Sequence, residues 1–373
     1  MFSREESRTL LASAQRIYEL SLARWGSDDA TVIVGLHSRL RVALEKLVRF
    51  ARPESPILIT GETGAGKELF ARAALLCSSR ADKPYLAVNC AQYADDNLVA
   101  SQLFGHRKGA FTGASSDHMG IFEKADGGVV LLDEVGELSS SAQAMLLRVL
   151  GEGEIIPIGD TQVRKVDVRI LAATNQNLEE MVAAKRFRED LYHRLRCLSV
   201  EVPSLRNRGD DWHLIARYYM QRLDAQHSRT KSLAPETIEL LNSHPWPGNI
   251  RELKSVVEVG YLLSDSGEIT IDDLGFALEE MTRRAEINRI SSALAEDFCE
   301  QMICGDRDFW ETIHQPYLDR ELNRREVRQI VSYALTYLSR GSYKKMFSML
   351  GVADEDYLKA MDFLRHHDLK PRG

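Results

Sequence analysis

Cysteine is scarce and unpatterned in this chain: five thiols in 373 residues, at positions 77, 90, 197, 299 and 304, an odd number with no Cys-x-x-Cys pair. That excludes a disulfide-stapled scaffold and gives no zinc-finger spacing, and it fits a reducing compartment. No apolar run is long enough to span a bilayer, and Met1 to Glu6 is polar with no signal-peptide core, so the chain reads as cytoplasmic, with no membrane partner. Excess positive charge is missing too. A formal net charge of -7 excludes a protein that coats nucleic acid along its whole length and leaves room only for a local basic face. Internal repeats and low-complexity segments are absent. What is present is a globular composition, 44% hydrophobic and 28% charged, with length for two or three domains.

The pattern around which the chain is organised is Gly61-Glu62-Thr63-Gly64-Ala65-Gly66-Lys67-Glu68. It follows the apolar run Pro56 to Thr60, short enough for a buried strand, and precedes Leu69 to Leu75, which suits a helix. Glycines in such a strand-loop-helix let main-chain N–H groups surround phosphate oxygens, the helix N-terminus adds partial positive charge, and Lys67 reaches the outer phosphates of a nucleoside triphosphate. The common pattern follows the lysine with Ser or Thr to hold magnesium; here Glu68 stands in that place.

Farther along, Tyr85 to Asn89, Val129 to Asp133 and Val168 to Thr174 read as further short strands alternating with amphipathic helices. The expected fold class is α/β, a parallel sheet covered by helices over residues 31–205. Residues 3–25 read as a helical extension within 1–30, too short for a sensor domain. Asp210 to Leu223, Ala234 to Ser243, Gly248 to Leu263 and Ile271 to Glu280 read as successive helices, giving a small all-helical domain over 206–280. Residues 281–373 keep a helical pattern and form a third unit.

Several constellations carry chemistry. Gly127 to Glu134 is a strand delivering Asp133 and Glu134 at its C-terminal end, where ligands bind in open α/β sheets. Asp133 suits magnesium and Glu134 suits a general base for the attacking water, although an Asp-Glu helix cap has the same letters. Asn175, at the tip of the next strand, suits the same water or the outer phosphate. Arg188 and Arg194 lie in Phe187 to Leu195; they fit either solvated helix positions paired to Glu189 and Asp190, or arginines donated to a neighbouring subunit, where such a group raises phosphoryl transfer by about 10³ to 10⁵. Arg251 opens a helix of the second domain and fits either a nucleotide contact or a surface pair with Glu252. Phe111 sits among small residues in Gly109-Ala110-Phe111-Thr112-Gly113-Ala114, which reads as a mobile loop that grips another macromolecule or as a buried hairpin tip.

Taken together, Gly61 to Glu68, Gly109 to Ala114, Asp133 with Glu134, Ala173 to Asn175, Phe187 to Leu195 and Trp246 to Leu253 resemble the AAA+ domain of the sigma-54-dependent transcription activators, the bacterial enhancer-binding proteins. The resemblance covers about residues 31–280. The Gly-Ala-Phe-Thr-Gly-Ala loop is that family's signature, and Glu68 is usual in it. It implies an AAA+ three-layer P-loop domain with a helical lid, ATP and Mg2+ as cofactors, and hydrolysis within a homo-oligomeric ring, normally a hexamer. It further implies that residues 109–114 contact sigma-54 and remodel the RNA polymerase closed complex. By the same resemblance Asn89 pairs with Glu134, Arg188 and Arg194 act in trans, Arg251 senses nucleotide from the lid, and a regulatory protein acts in trans. Family members usually end in a helix-turn-helix for enhancer DNA. Here 324–370 fits such a module, with Arg324, Arg325, Arg328, Arg340, Lys344 and Lys345 facing phosphates, and enhancer DNA is the favoured partner; against it, the second helix is expected to open on Asp354-Glu355-Asp356, which leaves a protein-docking bundle as the alternative.

Overall fold

The computed structural model describes residues 9–92, 96–111, 114–274, 298–299, 301–302, 308–319, 322, 324–335, 339, 342–367 and 369. It divides into two compact units, 1–275 and 276–373. Thr112, Gly113 and Arg340 lie outside the described residues, as does the end of the helix expected over Ile271 to Glu280. Among the described residues no helix is long and apolar enough to cross a membrane.

The first unit is built on a five-stranded parallel sheet. Its strands are β1 (Ile57–Thr60), β2 (Tyr85–Asn89), β3 (Val129–Asp133), β6 (Arg169–Thr174) and β7 (Leu198–Glu201), in the order β2-β3-β6-β1-β7. The inner strands read as unbroken apolar runs because helices cover both faces: Val129 to Leu132 and all of Arg169 to Thr174 are buried. Register places the strand ends together, with Thr60 opposite Thr174 and Glu201, and Asn89 opposite Asp133. The helices are α1 (Ala12–Trp25), α2 (Ser38–Ala51), α3 (Lys67–Leu76), α4 (Asp96–Phe104), α5 (Ile121–Lys124), α6 (Ser140–Glu152), α7 (Leu178–Ala183) and α8 (Glu189–Leu195). One face of the sheet packs Val130, Leu132 and Ile170 against Phe104, Phe122 and Leu146. A hairpin of β4 (Glu154–Ile155) and β5 (Arg164–Lys165) and the edge strand β7 were not foreseen. Both are too short for a periodicity to register.

After β7 come α9 (Asp211–His227), α10 (Pro235–Ser243) and α11 (Asn249–Leu263), in the places expected of the smaller domain. That domain is not purely helical: β8 (Ser232–Leu233), between α9 and α10, pairs in parallel with β9 (Glu268–Ile269), which follows α11. The start of α9 is joined to the α/β part by a buried ion pair. Arg208 Nε donates to Asp211 Oδ2 at 3.0 Å, and its other arm donates to the Val34 carbonyl. Asp211 Oδ1 accepts the N–H groups of Leu36 and His37 at 2.7 and 3.2 Å. Only Gly35 fits above this pair, since a Cβ there would lie 2.3 Å from Asp211 Oδ2.

The second unit packs its own core from Phe309, Ile313, Val327, Ile330, Phe347 and Leu364. Phe309 and Ile313 come from the segment of the π-helical turn Trp310–His314, and the others from helices Arg324–Tyr333, Tyr343–Met349 and Tyr357–His366. The last differs from expectation: Asp354–Asp356 forms a separate 3-10 turn, and the α-helix begins at Tyr357. Three adjacent carboxylates repel along a helix but are tolerated as the turn before its positive end.

Asp211→Ala leaves Arg208 buried without its counter-charge and two main-chain N–H groups without an acceptor. Loss of about 3–5 kcal/mol is expected, read as a fall in Tm on the order of 10 °C. A fall of under two degrees would show that the joint does not carry stability.

Candidate functional site

The C-terminal ends of β1, β2, β3 and β6 open on one cleft of about 460 Å³, lined among others by Lys67, Asn89, Asp133, Glu134, Asn175 and Arg251. The loop from β1 to α3 forms its floor. Gly64 and Gly66 hold φ of 76° and 103°, which side chains rarely adopt, and a Cβ on Gly64 would also lie 2.3 Å from the Gly248 carbonyl. Helix α3 begins at Lys67, so its first N–H groups, lacking partners one turn back, face the loop. Lys67 is 7% exposed. Its Nζ donates to the Gly61 carbonyl at 3.0 Å and lies 3.3 Å from Glu134 Oε1.

The carboxylates come from β3. Asp133 ends the strand and Glu134 follows in a left-handed conformation, φ 54°, which swings its side chain toward Lys67. Glu134 Oε2 accepts the Asn175 N–H at 3.0 Å, while Asn175 Nδ2 donates to Thr63 Oγ1 at 2.8 Å. The tip of β6 therefore bridges the acidic pair and the glycine loop. Burial and then the Glu134 carboxylate push the Asp133 carboxyl above its ordinary value, against the pull of Lys67. Asn89 lines the same cleft, and its Oδ1 accepts the Ala91 N–H at 2.9 Å, closing the turn after β2. Behind it Cys90 is buried, and its thiol is pushed up to about 12 by desolvation and then by the nearby carboxylates, so thiolate chemistry is excluded there.

Among the described residues no cluster of three or more His, Cys, Asp or Glu could hold a metal by itself. One half-buried carboxylate beside a phosphate loop fits Mg2+ differently, as an ion whose shell comes mostly from nucleotide oxygens and water. Asp133 is the residue that would hold it. Glu68 is exposed on the first turn of α3.

The remaining expected residues fall in two places. Arg251 lines the cleft from α11. Arg188 and Arg194 are outside this chain's cleft: Arg188 precedes α8 and holds Asp190 with bonds of 3.0 and 2.8 Å, and Arg194 is exposed on α8. The stem of the Phe111 loop is well tied. His106 and His118 exchange main-chain bonds of 3.0 and 2.9 Å, and Gly109 N–H reaches Ala114 O at 2.8 Å. Phe111 is half buried, its ring edge-on to His106 at 5.0 Å; Ala110 lies against Gly159.

Two features escaped sequence reading. An apolar slot beside Gly66 is lined by Ile33, Val34, Leu69, Tyr218, Tyr219 and Ile250, residues from four separate segments. The second is Asn249, buried at the start of α11 with φ 55°. It sits inside the Trp246 to Leu253 motif, and a buried amide beside a glycine was the available signal.

Comparison with known proteins agrees with this geometry. Residues 33–201 match the model of the sigma-54 interaction domain, and 206–290 match an AAA+ ATPase lid domain. A Nif-specific regulatory protein of Rhizobium leguminosarum bv. trifolii is 45% identical over 242 residues, 65% of this chain and 68% of that protein. A Nif-specific regulatory protein of Azotobacter vinelandii is 44% identical over 241 residues, 65% of this chain and 46% of that one. The chain thus spans about half the length of some of its relatives. Among solved structures, NtrX from Brucella abortus in complex with ATP superposes with a TM-score of 0.63 at 30% identity, covering 93% of this chain and 72% of that one.

Lys67→Ala is expected to abolish measurable nucleotide binding, because Lys67 is the buried cation of the loop floor, whereas Arg251 reaches the cleft from α11 and Arg206 is held by Glu62. Glu134→Gln is expected to keep binding within a few-fold and to lower hydrolysis by about 10² or more. Calorimetric titration with ATP and a phosphate-release assay on the same samples test both; equal ATP affinity in Lys67→Ala would remove the lysine from the site.

Proposed function

The chain belongs to the sigma-54-dependent activator family of AAA+ proteins, and on that premise we propose that it hydrolyses ATP to drive open-complex formation by sigma-54 RNA polymerase holoenzyme. The observation that carries the reading is the convergence of Lys67, Asp133, Glu134, Asn175 and Arg251 on one cleft beside the positive-φ loop. The triphosphate lies along Gly61 to Glu68, with Lys67 neutralising its outer oxygens in a pocket already shielded from water. The apolar slot beside Gly66, with room of about 30 Å³, would have to widen to take a purine base. Glu134 orients the attacking water and accepts its proton, and its bond to the Asn175 N–H fixes the direction in which the carboxylate faces. Bound Mg2+, held by Asp133, supplies neutralisation of charge on the phosphate oxygens.

Arg188, just before α8, and Arg194, on it, lie outside their own subunit's cleft, and this favours delivery to a neighbouring subunit in a homo-oligomeric ring, a hexamer by family resemblance. The Asp190 partner of Arg188 is exposed, so exchange for a phosphate costs little. Residues 109–114 form the sigma-54 contact, Phe111 being the ring with most surface to bury. His106 joins this loop to α4 through a 2.6 Å contact between its Nδ1 and Ser101 Oγ. The working division is 1–30 as an extension, 31–205 as the ATPase core, 206–280 as the lid and 281–373 as a C-terminal unit. In that last unit the helices at 343–349 and 357–366 suit enhancer DNA, with Lys344, Lys345, Lys359 and Arg365 exposed.

Transcription from a sigma-54 promoter with purified components, with and without ATP, tests the whole reading: no ATP-dependent transcript would overturn it. In the same assay Phe111→Ala and Thr112→Ala should hydrolyse ATP within a few-fold of wild type yet lose open-complex formation, since neither touches a phosphate ligand. Normal promoter opening by Phe111→Ala would remove the loop from that role. Arg188→Ala and Arg194→Ala should each lose most turnover and recover part of it when mixed with Lys67→Ala protein. Proven co-assembly without recovery would overturn the trans assignment.

A further inference from the structure

The phosphate loop and the first turn of α11 are joined more closely than two domains usually are. Asn249, fully buried, is the centre of the joint. Its Oδ1 accepts the Leu205 N–H at 2.7 Å, and its Nδ2 donates to Glu62 Oε2 and to the Thr63 carbonyl, both at 3.1 Å. Because one side of the amide meets a main-chain donor and the other a main-chain acceptor, the orientation of the amide is fixed by its neighbours. One residue on, the Ile250 N–H donates to the Gly64 carbonyl at 3.1 Å. The Gly248 carbonyl sits where a Cβ of Gly64 would be. On the outer side Arg206 grips the Glu62 carboxylate. Burial opposes the charge of Glu62, yet hydrogen bonds from Arg206 and Asn249 outweigh it and hold the carboxyl below its ordinary value.

Asn249 is also held in an uncommon backbone state, φ 55°, which asparagine tolerates better than most residues. An asparagine that served only to start a helix would sit before it in extended conformation and accept from the next turn. This one does neither. Its side chain spends both ends on other segments: the connection after β7 and the loop that would surround phosphates. The glycine loop owes its shape to positive-φ glycines, which set no preference of their own, so neighbours must supply the restraint.

We propose that Asn249 is the positioning residue through which the lid holds the phosphate loop in its binding shape, so that movement of α11 away from the loop releases it and sets the rate of ADP departure. The idea rests on the nucleotide reading above. Opening at α11 must break the Asn249 bonds to Thr63 and Glu62 together with the Ile250 bond to Gly64, because all three leave from the same helical turn. Loop relaxation and lid opening are therefore one event. Contacts to the nucleotide made by Lys67, Asp133 and Glu134 come from the start of α3 and the end of β3 and do not run through Asn249.

Two substitutions separate the coupling from plain structural loss. Asn249→Gly keeps the left-handed backbone and removes every side-chain bond. Asn249→Asp keeps the acceptor for Leu205 but places a carboxylate against Glu62 and the Thr63 carbonyl, so it breaks the loop half alone. Dissociation of fluorescent mant-ADP by stopped flow, single-turnover ATP hydrolysis and Tm are measured on the full chain. Dissociation is expected to quicken on the order of tenfold in both, the equivalent of one or two net hydrogen bonds, with single-turnover hydrolysis changed less than threefold. Dissociation within twofold of wild type in a folded Asn249→Asp would overturn the proposal, as would equal losses of binding and single-turnover rate, which mark a damaged site. Failure of the wild-type chain to bind mant-ADP at all would instead overturn the nucleotide reading.

Discussion

A buried ammonium is the feature on which the rest depends. Lys67 is nearly inaccessible to water, and an uncompensated charge there would cost several kcal/mol. The Gly61 carbonyl and the Glu134 carboxylate supply the compensation. Those two groups arrive from different strands, so the parallel sheet has to bring the ends of β1 and β3 to the same edge, with β6 between them. The sheet order does this, and Asn175 at the end of β6 then ties Glu134 to Thr63. Charge burial, strand order and the acidic pair are one arrangement.

That edge of the sheet is enclosed by the smaller domain through two buried polar joints. One is the Arg208–Asp211 pair, which fastens the start of α9 to the segment around Gly35. The other is Asn249, which fastens the start of α11 to the glycine loop. Apolar contacts slide, whereas buried hydrogen-bonded groups hold one register or break. Joints of this kind suit a lid that occupies discrete positions. The apolar slot between them is formed by both parts and would change with either joint.

The loop carrying Phe111 is organised on the opposite logic. Its stem is fixed by the His106–His118 bridge, the ion pairs of Arg107 with Asp117 and Asp160, and the bond from Arg107 N–H to the Ile158 carbonyl. Toward the crown, Phe111 meets His106 edge-on and its carbonyl accepts the Ala114 N–H at 3.0 Å.

The sequence determined the sheet, the glycine loop and the acidic pair, because each is a local pattern: apolar runs of strand length, glycines before a helix, carboxylates at the end of a buried strand. It also carried the family resemblance, which rested on motifs such as Gly109 to Ala114 and Trp246 to Leu253. Tertiary structure alone decided what those motifs touch. Nothing local announces β7, a four-residue edge strand, or the β8–β9 pairing across more than thirty residues. Nor does any pattern announce that the Asn89 amide closes its own turn through the Ala91 N–H. The apolar slot, the Arg208–Asp211 pair and the Asn249 joint join residues far apart in the chain. Such contacts leave no periodic trace, since a single buried polar residue reads the same as an exposed one until its surroundings are folded around it.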